Sequence, residues 1–390
     1  METKTEQKFQ HNPNWRNTKI SWVNASFIVI TPLVTLALLP YVLYTSGFTW
    51  VDFAIWSFMI FTTGMALTVG YHRYFAHQTF DSPTWVRALM LFFGAGCIEN
   101  SALKWSSDHR YHHRFVDKEG DPYNINRGFF YAHMGWIFFQ DPPNRTLNNA
   151  PDLSNDALVQ WQHRNYTWLC AFVGFGIPTI LGALAGRPLA GFFWGGLFRV
   201  VFLQHMTFFI NSACHVFGSR PYSTKVSARD CWWLAILTNG EGYHNFHHAF
   251  GSDYRNGVRW YHWDPSKWMI SLLSYLGLAT NLKRTPDPII LKARMETSLD
   301  EFRQNSHNRE IPAQLEQMRQ SLDAKLAEFQ LKVREFQAWK EQASKKRARF
   351  TRARARLLKQ KLNLERRSLE AALAEFRAQL QAAQMQSSFA

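Results

Sequence analysis

The chain has 390 residues, 46% of them hydrophobic and 16% aromatic, with 44 Lys and Arg against 29 Asp and Glu, a formal charge of +15. Its four cysteines, Cys97, Cys170, Cys214 and Cys231, are scattered and form no CxxC pair. That excludes a disulfide framework and a cysteine-bound iron–sulfur cluster, and it is consistent with a reducing compartment.

Residues 1–22 are expected to be a cytosolic N-terminal segment: the polar stretch Met1 to Lys19 precedes the first apolar run and no small-residue cleavage site follows it, so no cleaved signal peptide is expected. Ile20 to Val51, Phe53 to His72 and Asn165 to Gly186 contain no Asp, Glu, Lys or Arg, and Pro188 to Ser219 contains Arg199 alone. Roughly 20 apolar residues span a bilayer as helix, so these runs predict four transmembrane helices near 23–44, 52–72, 167–185 and 189–212. "TSGFTW" and "AGRPLA" join them in pairs and are too short to fold alone. The 70–166 loop and both termini are long and rich in Lys and Arg, which places them on the cytosolic side.

Histidines gather at that same side. The second span ends in "GYHRYFAH", with His72 and His77; the long loop holds "SSDHRYHHRF", with His109, His112 and His113; the fourth span ends in "NSACH", with Asn211 and His215; and "GYHNFHHAF" brings His244, His247 and His248. In His-x2-His-His the three side chains share one helical face. The His72–His77 spacing puts two side chains about 140° apart on an ideal α-helix, so a bend between them, or a metal pair flanked from two sides, is expected. Neutral imidazole suits iron, zinc and copper. Nine histidines exceed the four ligands of one zinc and match two metals. Asp108, Glu119, Asp121, Glu241 and Asp253 are the candidate acceptors for the outer ring N–H groups. His11, His163, His205, His262, His307 and His133 are not expected to be ligands. "EGYH" matches one half of the Glu-x-x-His pattern of ferritin-like di-iron bundles, but it has no second copy, which rules that fold out.

Residues 286–312 are expected to be a linker and 313–390 a basic helical, coiled-coil tail. Leu322, Leu326, Phe329, Val333 and Phe336, then Leu369, Leu373, Phe376 and Leu380, alternate steps of four and three, a helical seam suited to self-association. "KKRARFTRARAR" interrupts it. That run reads either as a solvated helical bend or as a dock for anionic lipid heads, and no nucleic-acid partner is expected.

The four histidine patterns, in this order among these spans, resemble the integral-membrane fatty acyl desaturases of the stearoyl-CoA desaturase type. "NSALKWSSDHRYHHRF", "GDPYNINRGFFYAHMGW" and "NGEGYHNFHHAF" carry the resemblance across roughly residues 20–285. It implies an all-α integral membrane fold, with four spans under a cytosolic helical cap and a desaturase domain over 23–285. It further implies two iron ions held by the nine histidines, and Asn211 as the holder of an iron-bound water. The activity implied is O2-dependent insertion of a cis double bond, Δ9 by family habit, into a saturated acyl chain. Trp105 and Thr207 fall at acyl-tunnel positions, and Asn100 at a position that contacts the acyl-CoA head. The family's basic pair after "GW" is here Gln140-Asp141, and its arginine before the second histidine box is Ser107. Arg110, Arg114, Lys118 and Arg127 are the cations expected to compensate, so the carrier is CoA or, alternatively, a membrane lipid. With no His-Pro-Gly-Gly haem motif and no CxxC, a separate electron donor of the ferredoxin, rubredoxin or cytochrome b5 type with its reductase is expected, in a bacterial inner membrane. The rivals are a membrane di-iron hydroxylase of fatty acids or alkanes and a scaffold built around the tail.

Overall fold

The computed structural model describes residues 19–140, 146–305, 311–345 and 351–388. Most of the expected N-terminal segment, His11, Asp141, His307 and residues 346–350 of the basic run lie outside the described residues. Among the described residues regular structure is helical, apart from isolated bridges such as Ile20 with Phe139. The principal helices are α1 (Trp22–Ser46), α2 (Trp50–Ala76), α3 (Thr84–Ala95), α4 (Ala102–Phe115), α5 (Tyr166–Leu184), α6 (Pro188–His215), α7 (His244–Ala249) and α8 (Pro265–Tyr275), then α9 (Asp287–Asn305), α10 (Ala313–Lys345) and α11 (Thr351–Ser388). The chain divides into two compact units. The first runs to Lys283 without Arg220–Lys225; the second takes that short stretch and the chain from Arg284 onward.

In the first unit α1, α2, α5 and α6 are long and apolar enough to cross a membrane, and they coincide with the four expected spans. Their outer faces stay apolar, as at Leu36 and Tyr44. Hydroxyls inside them bond back along the helix, Thr31 to the Phe27 carbonyl at 2.7 Å and Thr35 to that of Thr31 at 2.8 Å, which satisfies polar groups where water is absent. The two short connections are tied together: the Arg187 guanidinium bonds the buried Asp52 carboxylate and the Ser46 carbonyl, each at 2.7 Å. Gly182 and Gly191 let α5 and α6 touch backbone to backbone, since a Cβ on Gly182 would sit 2.8 Å from the Gly191 Cα. Arg199, buried in α6, closes this core by donating to the carbonyls of Gly96 (2.6 Å), Gly174 (2.8 Å) and Gly195 (3.0 Å).

The C-terminal end of α2 departs from the α-helix expected there. Ala66–Ala76 is wound as a π-helix, and the His77 N–H bonds the His72 carbonyl at 3.1 Å, five residues back. That winding places residues five apart nearly above one another, so His72 and His77 need no bend to meet. This segment packs between α3, α4 and α8.

The second unit is a three-helix packing. Leu291, Met295, Leu299 and Phe302 of α9 bury against Leu322, Leu326 and Phe329 of α10 and Leu369, Leu373, Phe376 and Leu380 of α11. The 286–312 segment is therefore mostly helix rather than linker, because its apolar residues recur every three or four positions. The seam expected to serve self-association is consumed within one chain.

Candidate metal centre

Nine histidines converge in the first unit in two groups: His72, His77, His109, His113 and His247, and His112, His215, His244 and His248. Their elements differ. The π-wound end of α2 supplies two, α4 three, the end of α6 one and α7 three. Ser101 caps α4 by accepting the Lys104 N–H at 3.3 Å. Arg110, also on α4, clamps the end of α2 through the carbonyls of Phe75 (2.8 Å) and Ala76 (3.0 Å).

Within each group the Nε2 atoms face one another. In the first, His72 and His247 approach to 3.0 Å, His77 and His109 to 2.8 Å, and His247 and His113 to 2.8 Å. In the second, His112 and His248, His215 and His244, and His244 and His248 each approach to 3.1 Å. The outer nitrogens decide what those Nε2 atoms carry. His72 Nδ1 lies 2.9 Å from Glu241, His112 Nδ1 2.8 Å from Asp121, and His215 Nδ1 2.6 Å from the Ser227 hydroxyl. Asp121 and Ser227 hold the proton on Nδ1 of His112 and His215 and leave their Nε2 atoms with bare lone pairs, while Glu241 stands beside His72 Nδ1 without a hydrogen bond. Burial first, then the neighbouring imidazoles, hold His77, His109, His113, His244, His247 and His248 well below 6.5. Neutral imidazoles aiming lone pairs at common points are a donor set that fits two divalent cations of the iron, copper or zinc type.

Of the five acidic residues expected behind the ligands, Asp121 and Glu241 take that place. Burial works against charge on Glu241, but Arg73 and His72 outweigh it and hold its carboxyl below the ordinary range. Arg73 donates to it at 2.9 Å and Asn256 at 2.5 Å. Asp108 pairs with Lys104, Asp253 takes the Arg255 guanidinium, and Glu119 is exposed on its loop. Asp117 and Ser227 were not anticipated, because the loop that brings them behind His215 has no periodic signal. The remaining described histidines have other partners: His133 bonds His205 and Ser212, each at 3.0 Å, His163 bonds Ser101, and His262 stacks on Tyr243.

A cavity of about 520 Å³ adjoins the centre, lined by His72, His109 and His244 and by the expected Asn100, Trp105, Thr207 and Asn211. Trp105 stacks on His109 with ring centres 5.0 Å apart. Its indole N–H points to Glu99, a cavity residue absent from the sequence expectations. Burial pushes the Glu99 carboxyl up to about 8 against the pull of Thr207 and Trp105. Ile98 and Asn100 flank it in the left-handed region, at φ +57° and +79°. A β-branched residue rarely adopts that conformation, so the turn that presents Glu99 is held by its surroundings and is not legible locally.

The two expected substrate cations lie elsewhere. The Arg110 guanidinium is taken up by Asp152, at 2.6 and 2.8 Å, and by the α2 carbonyls. Arg127 is exposed and rests on Tyr131, its guanidinium 5.1 Å from the ring centre. Ser107 bonds Asn149 at 2.6 Å, and Gln140 lines the cavity.

Residues 48–271 match the fatty acid desaturase family. The chain is 37% identical over 289 residues to the "Probable acyl-CoA desaturase" of Schizosaccharomyces pombe, covering 74% of this chain and 59% of that one. It is 34% identical over 304 residues to "Acyl-CoA desaturase 1" of Saccharomyces cerevisiae, covering 76% and 58%. It therefore spans about three-fifths of the length of these two relatives. Against the "sn-1 stearoyl-lipid 9-desaturase" of Anabaena variabilis the identity is 32% over 268 residues, covering 68% of this chain and 94% of the relative. With its apolar helices, its two histidine groups and these matches, the chain belongs to the fatty acid desaturase family.

Proposed function

We propose that the chain is an O2-dependent acyl desaturase working at two iron ions. The observation that carries this reading is the convergence of nine imidazoles, Nε2 inward, in two groups beside a cavity that His72, His109 and His244 line. His72, His77, His109, His113 and His247 would hold one iron; His112, His215, His244 and His248, with Asn211 acting through a water, would hold the other. Iron bound there supplies an oxidant strong enough for an unactivated methylene C–H, which no protein acid or base can cleave. The balance is one saturated CH2–CH2 unit, one O2, two electrons and two protons giving one cis CH=CH unit and two waters.

The chain's own residues supply placement. Trp105 holds His109 by stacking, and with Thr207 it walls the cavity where the acyl chain would lie. Asn100 stands exposed on the same lining, a position for the substrate's head. The cavity volume lies within the range of small-ligand sites, and one fixed C–C bond beside the metals is what selectivity requires. The named relatives act on acyl-CoA or on stearoyl-lipid, and we take acyl-CoA as the carrier with Δ9 as the position. Electrons come from a separate one-electron carrier and its reductase. The histidines and both termini face the cytosol, on the side opposite the two short connections. Family relatives occur in yeasts as well as in a cyanobacterium, so the family is not confined to bacterial membranes.

The test is the fatty acid profile of cells expressing the wild type and His247→Ala, with double-bond position read by mass spectrometry. A new cis-monoene in the wild type, absent from the variant, is the expected result. A hydroxylated acid instead would replace desaturation by hydroxylation, and an unchanged profile with no bound iron would end the reading.

A further inference from the structure

The two histidine groups are oriented by separate outer shells, and one residue sits behind both oriented ligands of the four-histidine group. Asp117 lies just past the end of α4, at φ +63°, a left-handed position that Asp tolerates. Its carboxylate accepts the Ser227 hydroxyl and, at 2.6 Å, the Ser227 backbone N–H. Ser227 has a single hydroxyl proton and spends it on Asp117, so its oxygen accepts the His215 Nδ1–H at 2.6 Å. The Asp117 backbone N–H donates to Asp121 Oδ2 at 3.1 Å, while Asp121 Oδ1 faces His112 Nδ1 at 2.8 Å. His215 and His112 belong to the same group. The five-histidine group is braced elsewhere, through Glu241 with Arg73 and Asn256.

From this geometry we infer that Asp117, acting through Ser227, is a positioning residue that governs one metal position and not the other. The inference rests on the reading that both groups hold metal. Without the Asp117–Ser227 pair, the His215 ring loses its fixed tautomer and its orientation, and the loop bearing Asp121 loses a tie. The Glu241–Arg73 shell is untouched. Outer partners of ligating histidines are worth 10- to 100-fold in metal affinity, so one of the two irons should leave at a correspondingly lower chelator concentration.

The experiment uses the full chain, purified in detergent after growth in 57Fe. Metal per chain is measured against a chelator series and the bound iron is followed by Mössbauer spectroscopy. Ser227→Ala, which leaves the backbone bonds in place, and Asp117→Ala are compared with Ser227→Thr, which keeps the hydroxyl. Two irons in the wild type, one retained at intermediate chelator in both alanine variants, and recovery in Ser227→Thr are expected. Loss of both irons together, or retention of both at wild-type chelator concentrations, overturns the inference. A wild type without iron overturns the metal reading itself, and the inference falls with it.

Discussion

Glu99→Gln isolates the single buried carboxyl change that the cavity makes most consequential. The side chain lines the cavity, its Oε1 is buried without a hydrogen-bond partner among the described residues, and burial raises its pKa from 4.5 to about 8. The sign follows from linkage. Below about pH 4.5 the group is protonated whether folded or unfolded, and its ionisation takes nothing from stability. Between 4.5 and about 8 the unfolded chain is ionised while the folded one keeps its proton, so stability falls as pH rises, and the loss is complete above about 8. At about 1.4 kcal/mol per tenfold the full loss approaches ~5 kcal/mol, of which ~3 kcal/mol develops between pH 6 and pH 9. Water reaching the cavity would reduce it. Gln carries no charge, so Glu99→Gln should gain on the wild type by roughly 5 °C in thermal midpoint over that interval. The assay is thermal unfolding in detergent at half-unit pH steps, with infrared difference spectra to find a protonated carboxyl that the variant lacks. A midpoint difference that is constant from pH 6 to pH 9 would refute the reasoning.

Four further outcomes are expected. Metal-free protein should lose thermal midpoint as pH falls below 6.5, because His77, His109, His113, His244, His247 and His248 are held neutral in the fold and take up protons on unfolding; a slope of more than one proton per chain is the check. Arg187→Ala should destabilise by about 1–3 kcal/mol in detergent unfolding, since it strands the buried Asp52 carboxylate. Trp105→Ala should cut product formation at least about tenfold and broaden double-bond position, while Trp105→Phe keeps much of both, read by mass spectrometry of the acyl chains. Truncation after Pro312 should aggregate, because it bares Leu291, Met295, Leu299 and Phe302 of α9, whereas truncation after Lys283 should remain monodisperse on size-exclusion chromatography.

The spans were legible because a helix that meets lipid must be apolar on its outer face over its full length, and charge-free runs longer than 20 residues are scarce otherwise. The histidines were legible because metal chemistry concentrates one residue type at helical spacing. What escaped was conformation imposed by tertiary contact. Nothing in "ALTVGYHRYFA" marks a π-helix, yet that winding is what brings His72 and His77 onto one face, and it persists because α3, α4 and α8 hold the segment. The left-handed Ile98 that presents Glu99 runs against its own preference. Ser227 lies 110 residues from Asp117, and only the closed fold makes it the link to His215. The α9 helix is the opposite case: its apolar steps of four and three from Leu291 to Phe302 were readable, and the nearby prolines masked them.

The charges behind the two histidine groups make their surroundings unequal. Glu241 stands behind His72, and Arg73 binds both it and Asp264, so in that shell one guanidinium offsets part of the charge of two carboxylates. Behind His112 and His215 stand Asp121 and Asp117, whose hydrogen bonds come from backbone N–H groups, Ser227 and His112, with no Lys or Arg among them in the described residues. Two carboxylates without a paired cation make the four-histidine group the more negative surrounding. In a buried site, where charges are weakly screened, that field favours a cation among ligands that are themselves neutral. It also makes the same carboxylates a burden once the metal is gone, since no cation then offsets their charge. Asp117 therefore contributes field as well as orientation to that position, and both vanish together in Asp117→Ala, whereas Ser227→Ala removes orientation and leaves the charge. A larger loss of affinity in Asp117→Ala than in Ser227→Ala is the corollary, and the difference combines the lost field with the lost bond to the Ser227 backbone N–H.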